Sequence, residues 1–435
     1  MSYTKQTWAN GDIITAAKLN HMEDGIVGTE ADVTDLKSAL ESNQPNIIKT
    51  LETLNIPAGD SEFHLFELAD YDQTYSGFVE FTNTGSENGY YTCTMKWNGV
   101  NTSYTLTTLL APGETATLTF PARQQMRLRT FEARSVNGVP GTFVLKRIEN
   151  PFIESLKEQG IWVCDASANG LGIYQGIENA VKWMKKSTFY TSKTKQCVIY
   201  IRNGTYTIDP ALATADTAWS VIRTAGRDVA FIGESRDQTI IQMTCPTGTA
   251  ARIFDIGGNS RLAHLTIKNI AGTDYTASGT AGHNPYAVHI DSQNTGSGYE
   301  QTVVEDCYIY SSMFNPIGAG LWNKQTQVYR NCVFEFGTNY SGFMQWGALY
   351  VHGPQQASAT ECALVIDNCT MISTNGQKAL TLPDVAGSLQ YTDIPVTIQR
   401  CIGYSSDPNN LTDVSSSRVA LTPQSALNSV AAWNA

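Results

Sequence analysis

Two aspartates and two histidines fall in a phrase that repeats through the second half of the chain. The phrase is Ala287-Val288-His289-Ile290-Asp291, preceded by Ile253-Phe254-Asp255-Ile256-Gly257 and followed by Leu349-Tyr350-Val351-His352. A pair of carboxyl groups is the acid and base of glycan hydrolysis, and imidazole exchanges protons near neutral pH. These residue types therefore indicate proton-transfer chemistry, provided that the fold brings the phrases side by side.

The alternation of side chains within each phrase predicts which residues share a surface. Two further copies are Gly320-Leu321-Trp322-Asn323 and Leu380-Thr381-Leu382-Pro383-Asp384. Successive side chains of a strand point to opposite faces, and we place the more apolar set inward. In the copy Gly320-Leu321-Trp322-Asn323 this puts Gly320 and Trp322 inside, as it does the apolar residues of the other copies. The predicted outward face then contains Asp255, His289, Asp291, Leu321, Asn323, Tyr350, His352, Thr381 and Asp384.

Asp255 and Asp291 are the leading candidates for catalysis, with His289 beside them. Neighbouring strands about 4.8 Å apart and a two-residue offset place their Cα atoms roughly 8 Å apart. This separation lies in the window of about 6.5–9.5 Å for the carboxyl pair of an inverting glycosidase. A hydrolase is favoured over a lyase because the predicted columns contain no Lys or Arg. A polar, solvent-facing sheet without activity remains the alternative.

The predicted substrate-binding residues lie around this pair. They are Asn323, Tyr350, His352 and Asp384 on the same face, and Trp346 in the Gly-rich loop from Gly337 to Gly347, where an aromatic ring can stack on a sugar. The sequence shows no metal-ligand spacing, and no cofactor or metal is expected.

A second repeat predicts the scaffold that positions these residues. Phrases such as Val328-Tyr329-Arg330-Asn331-Cys332-Val333-Phe334 recur, with Leu265, Cys307, Cys332, Cys369 or Cys401 in one small apolar slot, at intervals of 42, 25, 37 and 32 residues. A near-fixed unit of short, β-rich segments with loop-sized insertions is typical of a parallel β-helix. The cysteines in this slot should be buried, free thiols, and Asp306, Asn331 and Asn368 should form a ladder of sharp turns.

The rest of the chain divides into two predicted parts. Within residues 1–45, the apolar residues recur with a short heptad spacing. This spacing predicts a helical, coiled-coil segment. Residues 42–60 look like a linker. About seven short alternating strands within residues 46–150 predict a small antiparallel β-sandwich, a spacer or accessory binding module. The β-helix with its C-terminal cap would occupy residues 151–435, entered by an amphipathic helix around Ile177 to Met184.

Two stretches resemble known families. Trp8, Asn10-Gly11-Asp12-Ile13-Ile14-Thr15-Ala16 and Met22-Glu23-Asp24-Gly25-Ile26 resemble the N-terminal attachment segment of tail and baseplate proteins from phages of Gram-positive bacteria. A helix followed by Val198-Ile199-Tyr200-Ile201-Arg202-Asn203-Gly204 and repeated coils resembles the entry of pectin-lyase-like right-handed β-helices. That family includes lyases, esterases and phage tailspikes, so the likeness bears on fold more than on reaction.

Together these resemblances imply a phage tail spike or receptor-binding protein. It would recognise a host-surface polysaccharide and could also depolymerise it. A non-catalytic glycan-binding adhesin or a structural tail fibre is the alternative. Expected partners are the host polysaccharide, virion tail or baseplate proteins bound through the N-terminus, and two further copies in a homotrimer. Its expected location is the virion tail, after synthesis in the host bacterial cytoplasm.

The composition argues against two other classes of protein, those that bind nucleic acids and those that span a membrane. The net charge of −11 argues against a nucleic-acid-binding surface, which requires a basic stripe. No apolar run approaches the roughly 20 residues of a membrane span, and the first residues lack the apolar core of a signal peptide.

Overall fold

The computed structural model describes most of the chain beyond the N-terminal segment. The described residues are 46–67, 74–98, 103–120, 127–167, 171–193, 195–214, 219–224, 226–273, 284–291, 299–337, 347–353, 361–383, 394–407, 412–414 and 428–429. The predicted heptad seam and attachment segment in residues 1–45 lie outside these ranges. Among the described residues no helix is long and apolar enough to cross a membrane.

The first part of the fold contains two four-stranded antiparallel sheets. One sheet contains, in spatial order, Ile47–Ile56, Gly141–Glu149, Gly77–Asn83 and Thr115–Phe120. The other contains His64–Glu67, Arg127–Ser135, Gly89–Asn98 and Ser103–Leu110. Alternate residues are buried along Gly77–Asn83, as expected of strands with one face on a core. Phe81 and Phe143 stack in that core with ring centroids 5.3 Å apart.

The prediction of a linker over residues 42–60 is wrong for most of its length. Ile47–Ile56 is a strand that pairs antiparallel with Gly141–Glu149, and it brings the number of strands in this part to eight. Leu54 and Ile56 are 7% and 2% exposed, so the end of the strand belongs to the core. The Pro57-Ala58-Gly59 turn marks the end of this strand and misled the sequence interpretation.

The second part is a parallel β-helix, and the chain is mainly β as predicted. Within the described residues, seven successive coils each contribute one strand to each of three parallel sheets, which we call sheets I, II and III, and sheets I and II each have one further strand. Sheet I contains Ile161–Cys164, Cys197–Ile201, Val229–Gly233, Arg261–Ala263, Glu300–Glu305, Gln325–Arg330, Ala363–Asp367 and Val396–Gln399. Sheet II contains Gly204–Ile208, Thr239–Cys245, Thr266–Ala271, Tyr308–Ser311, Val333–Phe336, Thr370–Ser373, Ile402–Ser405 and Asn428–Ser429. Sheet III contains Ser220–Arg223, Arg252–Asp255, Val288–Ile290, Ile317–Gly320, Leu349–His352, Leu380–Leu382 and Thr412–Val414.

A sharp bend between sheets I and II repeats in successive coils. Its central residue has a left-handed backbone with φ from 44° to 57°, at His264, Asp306, Asn331, Asn368 and Arg400. The next residue points into the core and is the predicted small apolar one. All nine cysteines are free and buried, which confirms that part of the prediction. The amide of Asn368 donates to the Asn331 Oδ1 atom at 2.8 Å, so the turns also stack.

Helices cover the first coils. Pro151–Glu158 begins at Asn150, whose side chain caps the backbone N–H groups of Phe152 and Ile153. Ile177–Met184 buries Ile177 and Met184 and packs against the first strands of sheets I and III. Thr188–Ser192 and the 3₁₀ turn Pro210–Leu212 follow. A helix over the end of a solenoid shields apolar residues that the next coil would otherwise cover.

We predict that the left-handed turn is a measurable part of stability. Asn368 has φ of 51° and an exposed side chain, so Asn368→Val should cost about 1–2 kcal/mol more than Asn368→Gly, because β-branched residues avoid this region. Both variants lose the contact to Asn331, so their difference isolates the backbone. Urea unfolding measures it. Equal unfolding free energies for the two variants would contradict the assignment.

Candidate functional site

The outer face of sheet III carries the predicted polar side chains in one continuous column. Strand pairing aligns them coil by coil, in the order Arg223, Asp255, His289, Gly318, Tyr350 and Thr381. Gly320 and His352 are aligned in the same way two residues further along their strands. Asp291 directly follows the strand Val288–Ile290 at this second position. The structure thus brings Asp255, His289, Asp291, Tyr350 and His352 together on one surface, as their alternation predicted.

The prediction for the coil that contains Ile317–Gly320 was out of register. Ile317 and Ala319 point inward, whereas Gly318 and Gly320 occupy the outward positions that were assigned to Leu321 and Asn323. Leu321 is fully buried. The error arose because Ile317-Gly318-Ala319-Gly320 contains no polar side chain to mark its outer face. Asn323 lies beyond the strand, outside the column, and Trp322 does not point into the core.

The two outward glycines create space in this face. A Cβ atom on Gly318 would lie 2.1 Å from the ring of Tyr286, and one on Gly320 would lie 2.1 Å from Cε1 of His352 and 2.5 Å from Oδ1 of Asp291. Real side chains do not approach so closely. The missing side chains of this coil therefore allow groups from the coils on either side to lie over it and approach one another.

Asp255 and His289 form a buried acid–imidazole pair at one side of the site. The Asp255 side chain is 6% exposed, and its Oδ1 atom lies 3.1 Å from Nδ1 of His289. Its other oxygen accepts from Nε of Arg223 at 3.2 Å. Nη1 of Arg252 lies 3.3 Å from the same His289 nitrogen. Because Nδ1 of His289 faces Asp255, its Nε2 atom faces the open side, 4.0 Å from Oδ2 of Asp291.

Two nitrogen atoms lie within hydrogen-bond distance of Asp291, and His289 lies slightly further away. The indole N–H of Trp322 donates to its Oδ1 atom at 2.7 Å, and Nε2 of His352 lies 3.2 Å from its Oδ2 atom. Burial raises the pKa of the Asp291 carboxyl, but the hydrogen bond and charge of His352, the charge of His289 and the indole N–H outweigh it, so this pKa lies below its ordinary value. Asp291 is therefore a carboxylate at neutral pH, able to act as a base or an electrostatic partner and not as an acid.

Two tyrosines line the imidazoles. Tyr286 stacks on the His289 ring with centroids 5.4 Å apart, and Tyr350 lies beside His352 with centroids 5.8 Å apart. Burial, together with the charge of Asp291, raises the pKa of Tyr350 to about 12. Its hydroxyl therefore remains protonated at neutral pH, and it can donate a hydrogen bond but cannot serve as a ready base.

Buried polar side chains hold the backbone of the site from inside the solenoid. Gln327, on the inner face of sheet I, donates through Nε2 to the carbonyls of Gly320 at 2.8 Å and Ile290 at 3.4 Å. Its Oε1 atom accepts from the Tyr329 hydroxyl at 2.8 Å. Asn269 is fully buried and donates to the carbonyls of Pro285, at 3.0 Å, and Tyr286. These contacts fix the residues next to Asp291 and His289.

Sequence reasoning missed four residues of the site: Arg223, Arg252, Tyr286 and Trp322. Arg223 belongs to the outward column itself, so the statement that the columns contain no Lys or Arg is wrong. Its strand precedes the first recognised repeat, which is why the pattern did not include it. Trp322 reaches Asp291 from a turn, and no periodicity predicts that approach. A search for cations one coil upstream of Asp255 would have found Arg223.

Asp384 and Trp346 lie outside the described residues, so their predicted binding roles stay predictions. Within the described ranges, no group of three or more His, Cys, Asp or Glu side chains is arranged to hold a metal ion. The arrangement that the structure shows is a carboxylate flanked by imidazoles, with arginines at one end.

Comparison with known proteins finds only distant structural similarity. No protein-family model and no curated protein sequence matches this chain. Among solved structures, a pectin methylesterase from Aspergillus niger is similar with a TM-score of 0.32 and 14% identity, over 60% of this chain and 87% of that one. The catalytic domain of a GH87 alpha-1,3-glucanase has a TM-score of 0.28 and 13% identity, over 85% and 73% of the two chains. Pectin methylesterase PemA from Erwinia chrysanthemi has a TM-score of 0.29 and 14% identity, over 49% and 66%. Similarity at this level carries no argument about activity, and the fold assignment rests on the three parallel sheets.

The lowered pKa of Asp291 predicts a pH-dependent contribution to stability. A carboxyl with a lower pKa in the folded state stabilises the protein above its unfolded pKa of about 3.9, and the contribution is lost as the pH falls through the folded value. The excess unfolding free energy of wild type over Asp291→Asn should therefore be largest near neutral pH and shrink below about pH 4. Urea unfolding across this range measures it. A difference that does not change with pH would contradict the assignment.

Proposed function

We propose that this protein is a phage tail spike or receptor-binding protein whose sheet III face binds a host-surface polysaccharide and cleaves it. The observation that carries the proposal is the Asp291 carboxylate, placed among Trp322, His352 and His289 on the outer face of a solenoid. Groups that exchange protons and hold charge, gathered on an elongated surface, suit a chain-like polar substrate.

His289 and Asp291 are the proposed acid and base. Nε2 of His289 and Oδ2 of Asp291 are 4.0 Å apart, so a proton donor and a proton acceptor lie side by side at the site. In hydrolysis, a protonated His289 would give its proton to the glycosidic oxygen as that bond breaks. Asp291 would take a proton from the attacking water as the new C–O bond forms, so the atoms and charges balance.

Asp255 has a different proposed role from the one that the sequence suggested. It is almost fully buried and holds Nδ1 of His289 at 3.1 Å, which leaves Nε2 directed outward. We assign it to orienting His289 and stabilising the charged imidazole. Tyr350 and His352 would position the substrate and Asp291. Asn323 has no part in this assignment because it lies outside the column.

A non-catalytic adhesin, or a structural tail fibre on the same fold, is the second candidate. One observation favours it: the His289 ring stands between the Asp255 and Asp291 carboxyl groups, so they do not face each other across an open gap as an inverting pair does. A binding protein needs only the donors, acceptors and aromatic rings of the face. Activity is therefore the measurement that separates the two candidates.

We predict that Asp291→Asn lowers cleavage of a host polysaccharide by about 10²–10⁴-fold, because it removes the base, while binding persists. Reducing ends report hydrolysis, and ultraviolet absorbance of unsaturated products reports elimination. Asp237→Asn is the matched control because its side chain is 82% exposed and it lies in the turn before the sheet II strand Thr239–Cys245, not on sheet III; it should keep full activity. Full turnover by Asp291→Asn would contradict the assignment. If the wild type binds a host glycan but cleaves none, the protein is an adhesin and not an enzyme.

The virion location and the assembly state rest on the attachment segment and the resemblance to tailspikes. We propose a homotrimer bound through its N-terminus to tail or baseplate proteins. Light scattering of the purified chain should therefore give a mass of three times the 47.5 kDa of one chain. A mass equal to one chain at micromolar concentration would contradict the trimer without affecting the sheet III site.

A further inference from the structure

Basic side chains gather at the end of sheet III where the β-helix begins. Arg223 ends the strand Ser220–Arg223, which is the edge strand of this sheet. Its side chain is 44% exposed although Nε is bound to Asp255. The other N–H groups of the guanidinium make no hydrogen bond to any residue in the described ranges. Arg223 therefore presents unsatisfied donors to solvent on the same face as His289 and Asp291.

Lys185 adds a second cation behind Arg223. It follows the helix Ile177–Met184, which packs against the strand Ser220–Arg223. Burial lowers the pKa of the Lys185 ammonium, and the charge of Arg223 lowers it further. No acidic residue in the described part of the chain forms an ion pair with it. An anion bound between the Lys185 and Arg223 side chains would offset the cost of holding these like charges together.

The local charge balance also favours an anionic ligand at this end of sheet III. Arg252, whose guanidinium bonds to the Asn284 carbonyl at 2.9 Å, is a third cation near Asp255. Arg223 is ion-paired with Asp255, and Arg252 feels the charges of both Asp255 and Asp291. Asp255 is only 4% exposed, so it offers little to a ligand. In a chain of net charge −11, this concentration of positive charge is local and directed at one face. A group of cations that outnumbers its neighbouring acids is typical of a site for an anionic ligand.

We propose that Lys185 and Arg223 form a subsite for an anionic substituent of the polysaccharide, a carboxylate or a phosphate. The inference rests on the proposed function, because it places the subsite on the face that binds the glycan. Two coil spacings of about 4.8 Å separate Arg223 from His289, so the anion would lie about 10 Å from the reacting groups. It would fix the register of the chain on sheet III without touching the bond that is cleaved.

Calorimetric titration with sodium glucuronate and with inorganic phosphate, at constant ionic strength, tests this subsite directly. Glucose is the neutral comparison. Wild type should bind at least one of the two anions and should not bind glucose detectably. Lys185→Met keeps the aliphatic stem and removes the charge, so it should weaken binding of that anion about tenfold or more. The anion that binds more tightly identifies the substituent.

Two further variants separate the site from general charge effects. Lys186→Met changes the net charge equally and should bind like wild type, because Lys186 lies over the Trp183 ring. Lys185→Arg keeps a cation and should retain most of the affinity. Equal affinity in wild type and Lys185→Met, or no binding of either anion by wild type, would overturn the subsite.

The measurement does not depend on turnover. If the anion binds through Lys185 but no glycan is cleaved, the subsite stands and the catalytic proposal fails. If Asp291-dependent cleavage occurs and Lys185→Met is indistinguishable from wild type, only the subsite fails.

Discussion

Parallel hydrogen bonding between successive coils is the constraint on which the rest of this structure depends. Because each strand pairs in register with the strand one coil away, a residue's position in its own coil determines its neighbours above and below. The left-handed turn before each small apolar residue maintains that register, since it sets where sheet I ends and sheet II begins. Side chains from distant parts of the chain, such as Asp255 and Tyr350, thereby enter one column.

The site results from departures from the repeat. Most inward positions are aliphatic, yet Gln327 and Asn269 lie inside the solenoid with their amides hydrogen-bonded to backbone carbonyls. Such groups are costly to bury unless satisfied, and here they hold the residues beside Asp291 and His289. On the outer face, Gly318 and Gly320 leave space that Tyr286 and His352 occupy. A more regular solenoid would keep these groups apart.

Electrostatics divide the outer face of sheet III into two regions. At the first coils, Arg223 is ion-paired with the buried Asp255 carboxylate, and Arg252 and Lys185 add two further positive charges. In the next coils, Asp291 lies among imidazoles and an indole that favour its ionised form. Positive and negative charges thus lie about two coils apart, and the charge distribution along this face is asymmetric. A chain-like ligand with its own charged groups would therefore bind in one orientation. The overall charge of −11 does not reveal this division.

The sequence by itself determined the β-helix, the buried cysteines and the left-handed turns, because the inner lining and the bends repeat in residue type as well as in spacing. It also placed Asp255, His289 and Asp291 on one face, since alternation of apolar and polar residues decides that. Tertiary structure alone decided the register of Ile317–Gly320, where glycine and alanine carry no pattern, and showed that Ile47–Ile56 is a strand. It alone also brought Trp322, Tyr286 and the cations to the carboxylates. Those contacts come from turns and from the first coil, and a chain's periodicity says nothing about which side chains reach across a turn.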